Sequence, residues 1–192
     1  MFATSAASAG ISKSLLYAVT RQESSFVPHA VSGAGAVGLT QLLPHVARKI
    51  ARLYRRRPPT RRGLKRPATN VPLGAYYLGE LSRMYHGNCA LVTAAYNAGP
   101  YAVRRWLRRF GVMETDAFLE SIPYRGAARY AMGVCAATAT YATLYPDWSE
   151  SLRVTLGRGR SVPPVSELGA FMTGPQRTSE TSLPLDRSVA LR

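Results

Sequence analysis

Acidic residues are scarce in this chain: 10 Asp and Glu stand against 25 Lys and Arg, for a formal net charge of +15. From Met1 to Met113 the only carboxylates are Glu23 and Glu80. Glycoside chemistry that needs two carboxyl groups roughly 5–10 Å apart therefore has little to draw on in the early chain. Lysine is nearly missing. Lys13, Lys49 and Lys65 are the only ones, and arginine supplies the rest of the positive charge. Such a balance suits attraction to a polyanion: nucleic acid, acidic lipid or an anionic cell-wall polymer. Arginine excess alone names no partner, and a solvated basic surface reads the same way.

The cysteines are Cys89 and Cys135, whose spacing fits no metal-site pattern. Their small, apolar, helix-like surroundings read as two packed core thiols; a single disulfide is the alternative outside the cytosol. No metal and no cofactor is expected. Long apolar runs are missing too. The uncharged stretch Ala131 to Pro146 is too short and too rich in Ala, Thr and Tyr to span a bilayer. No signal peptide is visible, because the N-terminus has neither a basic n-region nor an apolar h-region. The Gly-rich loop at 29–38 has no GxGxxG, no lysine after it and no strand before it, which excludes a nucleotide site. The basic, proline-rich loop at 55–69 contains no aromatic residue, so no nucleic acid is expected as partner.

What is present is enough for one helical domain. The 192 residues are 46% apolar, and no strand alternation or internal repeat stands out. Residues 1–10 read as a flexible leader, 11–148 as the folded domain, and 149–192, rich in Ser, Pro, Arg and Gly, as a disordered tail. Ser12 is a plausible N-cap for a first helix to about Ser24. Pro44 suits the first turn of a second, ending near Tyr54. The loop at 55–69 reads as mobile. A third helix is predicted from about Val71 to Tyr85, and Asn88 and Gly99 bracket a fourth. After Pro100, Val103, Trp106, Leu107 and Phe110 form an apolar stripe with four arginines off it. A short acidic helix near 115–121 and a long one from Pro123 to about Tyr145 complete the all-α reading.

The stretch from Arg21 to Pro44 organises the rest. Ile11, Leu15 and Val19 fall on the same helical face as Glu23, which puts a carboxyl group at the C-terminal end of an apolar stripe. Burial and the negative end of the helix dipole both disfavour its ionised form. A carboxylic acid that stays protonated near neutral pH is what a general acid needs. The bland alternative is a Glu that merely closes a surface helix. Glu80, in mid-helix, reads as structural or surface.

The run Glu23-Ser24-Ser25-Phe26-Val27-Pro28-His29-Ala30-Val31-Ser32, followed by Gly35-Ala36-Val37-Gly38-Leu39-Thr40-Gln41-Leu42-Leu43-Pro44, resembles the first motif of the soluble lytic transglycosylases. Ala94-Ala95-Tyr96-Asn97-Ala98-Gly99-Pro100 resembles their AYNAGP motif. Asn70, Gly74, Tyr77 and Leu78 match the helix between, and Ile122-Pro123-Tyr124 with Tyr130 resemble the last motif. The resemblance implies a lysozyme-like helical fold with a glycan-binding cleft. It implies cleavage of the β-1,4 bond between N-acetylmuramic acid and N-acetylglucosamine of peptidoglycan strands, without water, leaving 1,6-anhydromuramoyl ends. Glu23 would be the single acid and then base. Ser32 would orient the acetamido group or cap its own turn. Gln41 would bond the glycan or tie loop to helix, and Leu43 would line the cleft. Tyr96 would place its hydroxyl near the reacting sugar, and Asn97 would contact substrate or pin the helix end. The substrate implies a periplasmic or cell-envelope location.

Two departures from the family pattern stand out. Thr40 takes the place of a larger apolar residue, so the cleft wall is expected to differ there. The Glu and Arg of the last motif are replaced by Gly126 and Ala128, with Arg129 one position off. This loss keeps two other readings open: a catalytically impaired peptidoglycan-binding module and a hydrolytic muramidase.

Overall fold

Ser12 starts the helix that carries the acid. Its backbone is extended, and its hydroxyl oxygen accepts from Leu15 N at 3.0 Å, satisfying one of the donors a helix start leaves bare. The helix it caps is α2, Lys13–Ser24. Ile11, Leu15 and Val19 are buried as the stripe required. This computed structural model describes residues 1–151, 162–163 and 165–169. Among them the helices in chain order are α1 Phe2–Ala9, α2, α3 Pro44–Leu53, α4 Pro67–Met84, α5 Cys89–Ala98, α6 Pro100–Phe110, α7 Thr115–Ser121 and α8 Arg125–Leu144. No strand forms among the described residues beyond isolated bridges of Val37 with Val31 and Leu42. The all-α expectation holds.

Three elements at the core decide where the site lies. The central helix α4 is buried along most of its length, α8 packs against both α2 and α5, and α1 lies on α4. Asn88 caps α5 through Leu91 N, as expected, and Gly99 ends it with a positive φ of 86°. On α6, Val103, Trp106 and Leu107 are buried, while Arg105, Arg108 and Arg109 face solvent. The apolar-stripe reading of that helix is met.

Three expectations need correction. The flexible leader is instead helix α1, with Ala6 and Ala9 buried and Gly10 as its left-handed C-cap. Its small residues looked too weakly apolar for a core element. Small size is what lets it sit close, since a Cβ at Gly79 of α4 would collide with the Ala9 carbonyl. The loop at 55–69 is not loose throughout. Leu64 is buried in a 3-10 turn, Gly63–Lys65, and α4 begins at Pro67, upstream of the expected Val71. Pro67 takes the first-turn position, so Pro72 ends up inside the helix. The tail expected over 149–192 lies mostly outside the described residues. Within it, Val162 and Leu168 are buried, with Val162 N bonded to Met113 O and Gly169 N to Met84 O. Two isolated apolar residues six apart carry no periodicity, which is why this contact was not legible.

Cys89 and Cys135 form a disulfide, with Cα atoms 6.0 Å apart, rather than two separate thiols. The bridge joins the start of α5 to the middle of α8. Because it closes a 46-residue separation, reducing it, or replacing both residues with Ser, should lower unfolding free energy by about 2–4 kcal/mol. Denaturant melts with and without reductant check this, and superimposable curves would contradict it.

Candidate active site

The loop after α2 turns sharply. Ser25 and Phe26 both adopt left-handed backbone, with φ of 49° and 62°, and Gln41 at the other end has φ 46°. Non-glycine residues in that region are held there by their surroundings, and such residues cluster at functional sites. At the Gln41 end the loop is held by Asn70 of α4, which is fully buried. Its Oδ1 accepts from Thr40 N at 2.8 Å and from Thr40 Oγ1 at 2.7 Å. Its Nδ2 donates to Val37 O at 2.8 Å and to Leu64 O at 3.0 Å. Both donors and both acceptor sites of the amide are thus used. Two glycines make room. A Cβ at Gly38, which has φ 82°, would strike Leu64 O and the Asn70 amide, and one at Gly74 would strike Thr40. Ser24 adds a bond from its hydroxyl to Leu39 O at 2.8 Å.

Thr40 is therefore not part of an altered cleft wall, as its smaller side chain suggested. It is buried beneath the loop, and its carbonyl accepts from Tyr96 Oη at 2.6 Å. The polar hydroxyl is tolerated because Asn70 accepts its hydrogen bond.

Glu23 is half-buried at the end of α2. Its Oε1 accepts from Tyr130 Oη of α8 at 2.6 Å. Burial pushes its pKa up from 4.5 to about 7, and the bond from Tyr130 pulls partly the other way. Tyr130 is held well above the usual tyrosine range, first by burial and then by the Glu23 charge. Tyr96 is shifted upward for the same two leading reasons, which places it within the field of Glu23. Tyr77 packs on Tyr96 with ring centroids 5.2 Å apart, and burial pushes it up to about 12.

Two clefts open on either side of the C-terminal end of α5, since Asn97 and Ala98 line both. The first, about 390 Å³, also has Gln41, Leu43, Tyr77 and Tyr96 in its walls. His45 and Lys49 of α3 and the exposed Tyr101 of α6 line it as well. The second, about 690 Å³, is lined by Gln22, Tyr124, Gly126, Arg129 and Tyr130. Glu23 is not among the residues lining either cleft; it reaches the second through its bond to Tyr130. The sequence-selected Gln41, Leu43, Tyr96 and Asn97 are thus brought together at the first cleft. Ser32 is not among the residues lining either cleft. It is exposed, and its Oγ accepts from Ala36 N at 3.1 Å, closing its own loop. Both amide hydrogens of Gln41 are spent on Ala30 O and Gly38 O, so only its carbonyl side remains for a ligand. Gly126 faces open space.

Sequence reasoning singled out neither Tyr130 as the partner of Glu23 nor Asn70 as the anchor of the loop. Both lay in quoted motif segments, but periodicity treats a buried Tyr and a buried Asn as core positions. Glu80 is buried and bonded to Tyr54 Oη at 2.8 Å and to Arg83, which supports its structural reading.

Comparisons place this architecture among known proteins. The family model described as the Transglycosylase SLT domain matches residues 1–119. The soluble lytic murein transglycosylase of Salmonella typhimurium is 38% identical over 135 residues, covering 68% of this chain and 21% of that enzyme. Among solved structures, an inactive Glu-to-Gln mutant of lytic transglycosylase Slt from Pseudomonas aeruginosa superposes with a TM-score of 0.72. It is 34% identical and covers 76% of this chain and 24% of its own. The 70 kDa soluble lytic transglycosylase of Escherichia coli gives a TM-score of 0.71 at 32% identity, covering 78% of this chain and 25% of that one. A 70 kDa soluble lytic transglycosylase solved in complex with bulgecin A gives a TM-score of 0.69 at 32% identity, covering 78% of this chain and 25% of that one. The chain spans about a fifth to a quarter of the length of these relatives.

The Asn70 anchor makes a direct prediction. Asn70→Ala leaves Thr40 N–H and the Leu64 carbonyl buried without partners and takes one of two donors from the Val37 carbonyl, which keeps Leu42 N, and should cost about 2–4 kcal/mol of stability. Tyr96→Phe, which strands only the Thr40 carbonyl, should cost about 1 kcal/mol. Chemical denaturation of both variants reads the contrast; equal losses would remove Asn70 from its place as the loop's anchor.

Proposed function

This chain belongs to the transglycosylase SLT domain family, and on that premise we propose that it cleaves the MurNAc-β-1,4-GlcNAc bond of peptidoglycan strands non-hydrolytically. The products are 1,6-anhydromuramoyl ends, and Glu23 is the single acid and then base. The observation that carries the reading is the seat of the Glu23 carboxyl, half-buried and bonded to Tyr130, which lines the second cleft. The names of the relatives and the inactive Glu-to-Gln mutant among the solved structures support it.

The chemistry follows from the site. With Oε1 accepting from Tyr130, Oε2 is the edge left to carry the acidic proton. At pH below about 7 the carboxyl keeps that proton and gives it to the leaving glycosidic oxygen. Glu80, the other early carboxylate, is locked in its pairing with Tyr54 and Arg83. The substrate's own 2-acetamido group therefore stabilises the developing charge at C1. Glu23, now ionised, takes the proton of the C6 hydroxyl as that oxygen closes on C1. No water is consumed. Gln41 through its carbonyl, Leu43, Tyr96 and Asn97 hold the glycan in the first cleft. Ser32 acts by shaping the loop that carries Gln41 and Leu43. The substrate places the protein in the periplasm or cell envelope.

One observation favours a binding-only reading: Gly126 leaves open space in the second cleft where the family motif has a Glu. Turnover decides between the two. Glu23→Gln should lower release of muropeptides by about 10²–10⁴-fold. If the unsubstituted protein is as inactive as this variant, the binding module is the correct reading. Product mass separates the third possibility, because a hydrolytic muramidase adds one water and the proposed reaction adds none.

The pH dependence has a defined sign. A raised acid pKa keeps Glu23 protonated to about pH 7, so the rate should fall as pH rises through that value. Tyr130→Phe removes the bond that lowers this pKa, so the alkaline limb of the profile should move upward in pH. A limb that stays in place would argue against the Glu23–Tyr130 coupling. Stability carries the same signature. Between pH 4.5 and about 7 the folded state holds a proton that the unfolded state has released, so the contribution of Glu23 to stability declines across that window. Above it, Glu23→Gln should be more stable than the unsubstituted protein by about 1–2 kcal/mol, allowing for partial exposure. Thermal melts at pH 4 and pH 8 measure the difference.

A further inference from the structure

Every charged residue from Arg48 to Arg66 is Lys or Arg, and all of them are exposed. No Asp or Glu lies between Glu23 and Glu80 to offset them. Glu80 itself is buried and paired with Arg83 and Tyr54, so it cannot neutralise this surface. The segment is also held in place. Tyr54, bonded to Glu80, stacks on Tyr76 with ring centroids 4.0 Å apart and planes 17° apart. Arg56 donates to Tyr76 Oη at 3.0 Å and lies 5.4 Å from the centre of that ring. At the far end Leu64 is buried, and its carbonyl accepts from Asn70. Like charges fixed close together repel one another, and an anionic partner relieves that repulsion.

We infer that the cations from Arg48 to Arg66 form a docking surface for a phosphodiester-linked anionic polymer lying beside the glycan. Three observations select this partner. Guanidinium forks match phosphate oxygens two at a time, and arginine dominates the segment. Single-stranded nucleic acid would need free aromatic faces, but Tyr54 and Tyr76 are spent on each other and on Arg56. A bilayer would need exposed apolar side chains among the cations. The large ones that are exposed, Phe26, Val31, Tyr101, Tyr124 and Tyr145 among them, lie outside this segment. The surface is continuous with the first cleft, since His45, Val46 and Lys49 on the same helix, α3, line it. A polymer on the basic face therefore runs alongside whatever fills that cleft.

The test is binding of fluorescent poly(glycerol phosphate) to the whole protein across a salt series. Polyglutamate, a single-stranded oligonucleotide and anionic phospholipid vesicles are measured in parallel. In the variant Arg57→Ser/Arg61→Ser/Arg62→Ser, affinity for poly(glycerol phosphate) should fall by about tenfold or more, and the slope of log affinity against log salt should shrink by about 2. The variant should melt with the unsubstituted protein, because these side chains are exposed. Unchanged affinity in the variant would overturn the inference. So would binding of polyglutamate, oligonucleotide or vesicles as tightly as the phosphate polymer at the same salt. The assay breaks no glycosidic bond, and Glu23→Gln should bind the polymer as the unsubstituted protein does. Failure of the proposed activity is therefore distinguishable from failure of this docking surface.

Discussion

A single side-chain amide carries more of this architecture than any apolar contact does. Asn70 is fully buried and makes four hydrogen bonds, to both polar atoms of Thr40 that face it and to the carbonyls of Val37 and Leu64. A flipped amide would set its NH2 against the Thr40 N–H, so the partners also fix its orientation. Because the bonds reach two separate loops, one residue sets both the loop after α2 and the root of the basic segment before α4. The Thr40 carbonyl then receives Tyr96, tying the end of α5 to the same point. In a low-dielectric interior such a network is favourable only when every member is satisfied, and this one is.

Glu23 depends on that frame without belonging to it. Its environment is apolar stripe on one side and tyrosines on the other. Water would stabilise the carboxylate better than this site does, so the proton is retained to a higher pH. The same burial that suits an acid for proton donation is a cost to the folded state once the group ionises. The frame of Asn70, Gly38 and Gly74 supplies stability at a distance from the group that spends it. Tyr130 moderates the cost by donating to the carboxyl.

Much of this was legible beforehand, and for identifiable reasons. Ile11, Leu15 and Val19 recur every four residues, so helical geometry alone puts Glu23 at the end of a buried stripe. Asn88 and Gly99 mark the ends of α5 through local capping chemistry, which needs no tertiary information. Other features were hidden because their signal is not periodic. The small residues of α1 look like a leader until Gly79 is seen to admit them. Val162 and Leu168 are too few to form a pattern. Thr40 looked like cleft wall because its neighbours Gln41 and Leu43 do line the cleft, whereas its own side chain points into the Asn70 network.

The amino-acid sequence by itself determined the helical class, the caps, the segregation of arginine from apolar stripes, and the isolation of Glu23 as an early carboxylate. Each is a consequence of local geometry or composition, in which a residue's neighbours along the chain supply the relevant forces. Only the tertiary structure decided that Tyr130, 107 positions away, bonds Glu23, that Cys89 and Cys135 pair, and that the basic segment is fastened through Tyr54, Tyr76 and Asn70. Those contacts depend on how helices distant in sequence are brought together. Burial, the quantity that moves the Glu23 pKa, exists only once they have packed.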